Sequence, residues 1–187
     1  MADWEIIEET VITGSTTHDI SFTSIPSTYQ HLELTASVQI NSTQTTFGGN
    51  MMYMYWNGEN TGNHLGYIGW TRSHYYDSLP AINFGYSSTT NYAEAALCNT
   101  TACSATTWTS VWILIPNYTN TSTLKSAICR SGNGPATGGT NAHTGIVSPR
   151  IVSGDQTSAI SQINLMTDGA SRPFAVNTTF MLAGFKG

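Results

Sequence analysis

Five histidines and three cysteines are the side chains of this chain with the most reactive repertoire. A thiol becomes a nucleophile when a neighbouring imidazole takes its proton, and zinc uses the same two residue types in close local pairs. Cys98 and Cys103 are spaced poorly for a zinc pair, and Cys129 stands apart from both. His143 falls in a Gly-rich stretch, His18 beside Asp19 in a turn, and His31 on the polar side of an alternating run, so none occupies an evident pocket. Glycoside hydrolysis needs two carboxylates flanking one bond. Glu59, Asp77, Glu94, Asp155 and Asp168 qualify by type, but most stand beside turn residues, where acids cap or bond the backbone. There is no P-loop, no dinucleotide-binding glycine fingerprint, no HExxH and no GxSxG. The expectation is a protein that is not an enzyme, with no catalytic residues, no metal and no cofactor.

One cluster has the composition of a contact surface. Trp70, Arg72, His74, Tyr75 and Tyr76 bring flat rings and hydrogen-bond donors of the kind used at protein interfaces and sugar platforms. Trp70, Arg72, His74 and Tyr76 share one side if the run is extended. The same residue types also fill sandwich cores, and the sequence leaves both readings open. Trp4 joins the candidate contact residues because it lies in an acidic opening segment, with Asp3, Glu5, Glu8 and Glu9. That segment reads either as a solvated edge strand or as a docking strip for a basic surface.

The elements that must carry these residues are strands. From His31 to Ile40, Leu32, Leu34, Ala36, Val38 and Ile40 alternate with polar residues, the period of a strand with one oily face. Similar runs are expected at Trp4 to Ile12, around Ile20 and Phe22, at Met51 to Trp56, Ala81 to Tyr86, Tyr92 to Leu97, Thr109 to Ile115, Thr123 to Arg130, around Ile160 to Leu165, and at Asn177 to Phe185. Met51 to Trp56 is apolar on both faces and reads as a central strand covered on both sides. Asn57-Gly58 reads as a hairpin turn, and Thr167-Asp168-Gly169 as another turn. Exposed loops are expected at about 41–50, 57–69 and 131–145. No stretch makes a helix and no linker divides the chain, so residues 1–187 read as a single all-β domain. Its expected architecture is an antiparallel β-sandwich of jelly-roll or Greek-key type.

Charged residues are 9% of the chain, against about 25% in ordinary soluble domains. Thr, Ser, Asn and Gly supply the polarity instead, and with 40% apolar residues the chain is expected to fold. The formal net charge of −5 and the scattered Arg72, Lys125, Arg130, Arg150, Arg172 and Lys186 argue against nucleic acid as a partner. No apolar run reaches the length of a membrane helix, and the first residues lack the basic and apolar regions of a secretory signal, so synthesis in a cytosol with free thiols is expected.

The segment SIPSTYQHLELTAS, residues 24 to 37, resembles the pattern SIPxTYxHLxLxxS of a family of small virion structural proteins of tailed phages, particularly aquatic ones. YWNGENTGN at 55 to 63 is similar to that family's FNGDxGxNY turn. VWILIPNYTNTSTLKSAICRSG at 111 to 132 resembles its I-x-DYxNTxKxKTxxSxxG strand pair, and AISQINLMTDG with FMLAGFKG resembles its AIxxIxL and LYGIKG ending. Asn117 stands where the pattern has Asp, Glu59 follows Asn57-Gly58 in place of Asp, and Ala183-Gly184-Phe185 replaces Tyr-Gly-Ile. The resemblance covers most of the chain and implies a capsid decoration, or cement, protein of the virion. It would bind the outside of the major capsid protein shell as a homotrimer, with the acidic first strand and the aromatic segment making contacts. The alternative is a tail-fibre or adsorption module whose aromatic segment binds host surface glycan.

Overall fold

The computed structural model describes residues 3–43, 51–58, 68–76, 79–87, 93–102, 106–133, 145–146, 157–167 and 171–186, with the strands between 68 and 93 and at 145–146 described by backbone alone. The elements are β1 (Asp3–Val11), β2 (Asp19–Phe22), β3 (His31–Ile40), β4 (Met51–Trp56), β5 (Ile68–Tyr76), β6 (Leu79–Ser87), β7 (Ala93–Leu97), β8 (Asn99–Thr100), β9 (Thr109–Pro116), β10 (Ile128–Asn133), β11 (Gly145–Ile146), β12 (Ile163–Thr167) and β13 (Thr179–Lys186). There is no helix among the described residues.

One sheet runs β1-β13-β3-β9-β10, with the short β8 paired to β3, and the second runs β2-β12-β4-β7. If the eight strands β1, β2, β3, β4, β7, β9, β12 and β13 are counted in chain order, the sheets read 1-8-3-6 and 2-7-4-5. That double order is the jelly roll: the chain alternates between sheets except at the step from β4 to β7. β5 and β6 form a hairpin inserted at that step, and β11 pairs with β5 to complete a three-stranded ribbon.

Alternation dictates which faces meet. Leu32, Leu34, Val38 and Ile40 of β3 are fully buried, with Val111, Ile113 and Ile115 of β9 and Phe180 and Leu182 of β13 beside them. Across the layer, Phe22, Met52, Met54, Trp56, Ile163 and Leu165 complete the same hydrophobic cluster. Phe174 and Phe180 meet edge to face, with ring centroids 5.1 Å apart, a favoured aromatic geometry.

Several sequence expectations shift. The strand expected from Thr123 begins only at Ile128, because Lys125 draws the carbonyl groups around residues 120 and 123 onto its ammonium instead of leaving them to a ladder. The loop expected from Ser131 begins later, since Ser131, Gly132 and Asn133 continue β10 against Val111, Ser110 and Thr109. Backbone pairing needs no apolar side chain, so Ser-Gly-Asn extends a strand that composition hides. Likewise residues 68–69 open β5, and Gly145 pairs with Arg72. The rest of the loops expected at 41–50, 57–69 and 131–145 lies outside the described residues except for 41–43 and the turn at Asn57-Gly58, as does the turn at Asp168-Gly169.

Asn57 and Gly58 do adopt positive φ, 55° and 72°. Yet β4 pairs with β12 and β7, and the next described strand, β5, pairs with β6 and β11, so this turn leads out of the sheet. β4 is central in its sheet as expected, but only one of its faces is fully covered. Met52, Met54 and Trp56 are buried while Tyr53 and Tyr55 are half-buried.

Candidate interaction face

Residues paired across an antiparallel ladder share a face. Because Leu32, Leu34, Phe180, Leu182, Val111 and Ile113 point into the core, the alternate residues form the outer face of the five-strand path. Its central rows read Ile6, Ala183, Glu33, Leu114, Ile128, and then Glu9, Met181, Thr35, Trp112, Arg130. A row of small residues follows, with Val11, Thr179, Ser37, Ser110 and Gly132, while Trp4, Phe185, His31 and Pro116 close the other end. Trp4, Ile6, Val11 and Ile128 are all at least 44% exposed, and Trp112, Leu114, Met181 and Phe185 are half-buried. Apolar side chains therefore stand on both sides of a polar stripe made by His31, Glu33, Thr35 and Ser37 of the central β3, with Trp4, Ile6, Val11, Met181 and Phe185 on one side and Trp112, Leu114 and Ile128 on the other; exposed apolar side chains gathered in this way suit protein contact. The Arg130 guanidinium lies 5.4 Å from the centre of the Trp112 ring, a cation–π contact. A concavity of about 420 Å³ opens beside Glu9, Val11, Ser37, Thr179 and Met181.

The expected contact residues do not form one site. Trp4 lies on β1, an edge of the first sheet, beside Phe185. Trp70, Arg72, His74, Tyr75 and Tyr76 lie on β5, whose partner β11 contacts β10 at the opposite edge of that sheet. Trp70, Arg72, His74 and Tyr76 do take alternate positions of one strand, opposite Gly85, Asn83, Ala81 and Leu79. Their side chains lie outside what the structure describes.

Residues from several of the segments singled out in the sequence meet at one end of the sandwich. The Tyr29 ring packs on Gly184, and the Gln30 amide donates to the Phe185 carbonyl at 2.7 Å. Tyr118 OH donates to the Pro26 carbonyl. The Asn117 amide donates to His31 Nδ1 at 3.1 Å. The Asn57 side chain donates to the Ala159 carbonyl at 3.0 Å and accepts from the Ser161 amide at 2.9 Å. At the same end Glu5 accepts from Lys186 Nζ at 3.1 Å, and this bond, together with one from Tyr29, holds the Glu5 carboxyl below its usual range.

Two features of the structure leave little signal in the sequence. Lys125 is 2% exposed, and its ammonium donates to the carbonyls of Asn120, of Thr123 at 3.2 Å and of Thr157 at 3.0 Å. Burial lowers its pKa, and three carbonyls replace the carboxylate that a buried lysine ordinarily needs. The outer apolar face was hidden because β9, TSVWILIP, is apolar at both alternations and so reads as covered on both sides.

Cys98 and Cys129 are buried free thiols; burial pushes Cys98 up to about 12 and raises Cys129 as well, the opposite of an activated nucleophile. Cys103 lies outside the described residues. Of the five candidate acids, only Glu94 is described. It shares a row with Asp19 through Tyr53 and Met166, three strand spacings or about 14 Å away, beyond the separation of glycosidase pairs. No cluster of metal-binding side chains occurs among the described residues, and no helix there is long and apolar enough to cross a membrane. No protein-family model matches the chain, and no curated protein matches it.

Proposed function

We propose that this chain is a non-enzymatic structural protein of a phage virion, a decoration protein that binds the outside of the major capsid protein shell. The observation that carries the reading is the set of exposed apolar side chains, Trp4, Ile6, Val11 and Ile128, on the outer face of the β1-β13-β3-β9-β10 sheet. The core-facing alternate residues already fill the interior, so these side chains are surplus to folding and suited to burial against another surface. The resemblance to phage structural proteins rests on residues that here build one end of a jelly roll, which fits a scaffold role. Repetition over a shell would turn modest individual contacts into stable attachment.

Cryo-electron microscopy of the virion, with quantitative peptide counting, tests the assignment. Decoration requires on the order of hundreds of copies per particle, with density over the capsid. Density confined to the tail, at a few copies or a few tens, would refute it and leave the adsorption module that binds host glycan. Hydrolysis of host polysaccharide by the purified chain would overturn the non-enzymatic assignment.

A further inference from the structure

The outer face of the five-strand path is complementary to itself, and we propose that two copies of this chain pack these faces together about a two-fold axis parallel to β3. Such a rotation reverses the strand order and leaves each row opposite itself, an isologous contact. Glu9 then stands over the partner's Arg130, and Met181 over the partner's Trp112. In the neighbouring row Ile6, 46% exposed, meets the partner's Ile128, 44% exposed. Within one chain Glu9 and Arg130 are four strand spacings apart, about 19 Å, and cannot pair. Among the described residues neither has an ion-pair partner.

The concavity of about 420 Å³ lies on the β1 side of the face, where Val11, Thr179 and Ser37 leave room. The stacked Trp112 and Arg130 come over Met181 and Glu9, which line one side of the partner's concavity, and Ser110 and Gly132 come over Thr179 and Val11 on its other side. Five strands at about 4.8 Å and four rows at about 6.8 Å give a footprint of about 650 Å² per copy, about 1,300 Å² in all, within the range of stable interfaces. A three-fold ring, the arrangement implied by the family resemblance, would leave these matches unused. Glu33 lies on the axis strand and faces the partner's Glu33, the one like-charge contact of the arrangement.

Dimerisation is a property of the isolated chain in solution; the face it buries is the one assigned to the shell, so the two contacts exclude each other, and solution association and particle copy number are read by separate experiments. Sedimentation equilibrium of the full chain should show a reversible monomer–dimer system. Glu9→Arg and Arg130→Glu each make two attractive contacts repulsive, so each should weaken the dimer about tenfold. The double reversal should restore affinity to within about threefold. Ile6→Asp should abolish association, and Glu33→Gln should strengthen it. Circular dichroism melts of every variant confirm that the monomer remains folded. A monomer up to about 1 mM, a trimer, or a dimer indifferent to both single reversals would overturn the proposal.

Discussion

Gly184 is where the packing makes its strictest demand. Its φ is not positive, so any intolerance of a side chain comes from space and not from the backbone. A methyl group there would stand 2.6 Å from Cδ1 of Tyr29 and closer still to Cγ, while Tyr29 is 7% exposed and part of the core cluster. The ring must move as a unit, away from Glu5 and from Lys186 Nζ, which lies 5.6 Å from the ring centre. Overpacking costs about 1–3 kcal/mol, and partial exposure of the ring about 1 kcal/mol more. Replacing glycine within a strand returns about 0.5–1 kcal/mol. Gly184→Ala should therefore destabilise by about 1–3.5 kcal/mol, a fall of roughly 2–14 °C in Tm for a chain of this length. Tyr29→Ala should cost about 3 kcal/mol through the cavity it leaves. In that background the alanine at 184 has room, so the double variant should be no less stable than Tyr29→Ala alone. Urea unfolding of the four proteins, followed by tryptophan fluorescence, closes the cycle. Additive effects, within about 0.5 kcal/mol, would show that the Tyr29–Gly184 contact does not set the requirement for glycine.

Lys125→Met keeps the buried stem but strips three carbonyls of their donor, so it should cost about 2–4 kcal/mol in urea unfolding. A loss under about 0.5 kcal/mol would show that water takes over those carbonyls. Iodoacetamide at about pH 8 should leave Cys98 and Cys129 unmodified in the folded protein and label both in urea, read by peptide mapping. Labelling of either at the rate of a free thiol under native conditions would show that its segment opens readily.

The jelly roll is legible where one face of a strand is wet. His31 to Ile40 announces its inward set, and the structure buries Leu32, Leu34, Val38 and Ile40 completely. Gln39 is buried as well, although its alternation assigns it to the wet side, because the end of β3 runs beneath Thr107 and Thr178, whose groups it bonds. Strand ends are less legible, since backbone partners decide them: Ser131-Gly132-Asn133 becomes strand because β9 continues beside it. Lys125 is illegible for the same reason, its acceptors being carbonyls that leave no trace in residue type.

Trp112 and Leu114 expose a deeper limit. On β9 they alternate with Val111, Ile113 and Ile115, and nothing in TSVWILIP says which set faces the other sheet. Only the cross-strand register separates them, by placing Ile113 opposite Leu34 and Trp112 opposite Thr35. The same register places Met181 beside Thr35 and Ile128 beside Leu114, gathering onto one face apolar residues scattered through four strands. None of them is needed to fill the core, where Leu34, Ile113 and Leu182 are already fully buried. For the most exposed of this face, Trp4, Ile6, Val11 and Ile128, burial against a second surface would recover part of the about 1.5–3 kcal/mol that full burial of such a side chain is worth. A sheet that keeps exposed apolar side chains on the face away from its covering layer has surface to bury, and the opposite charges of Glu9 and Arg130 at its two edges are what favours a second copy of the same sheet under the dimer proposed above.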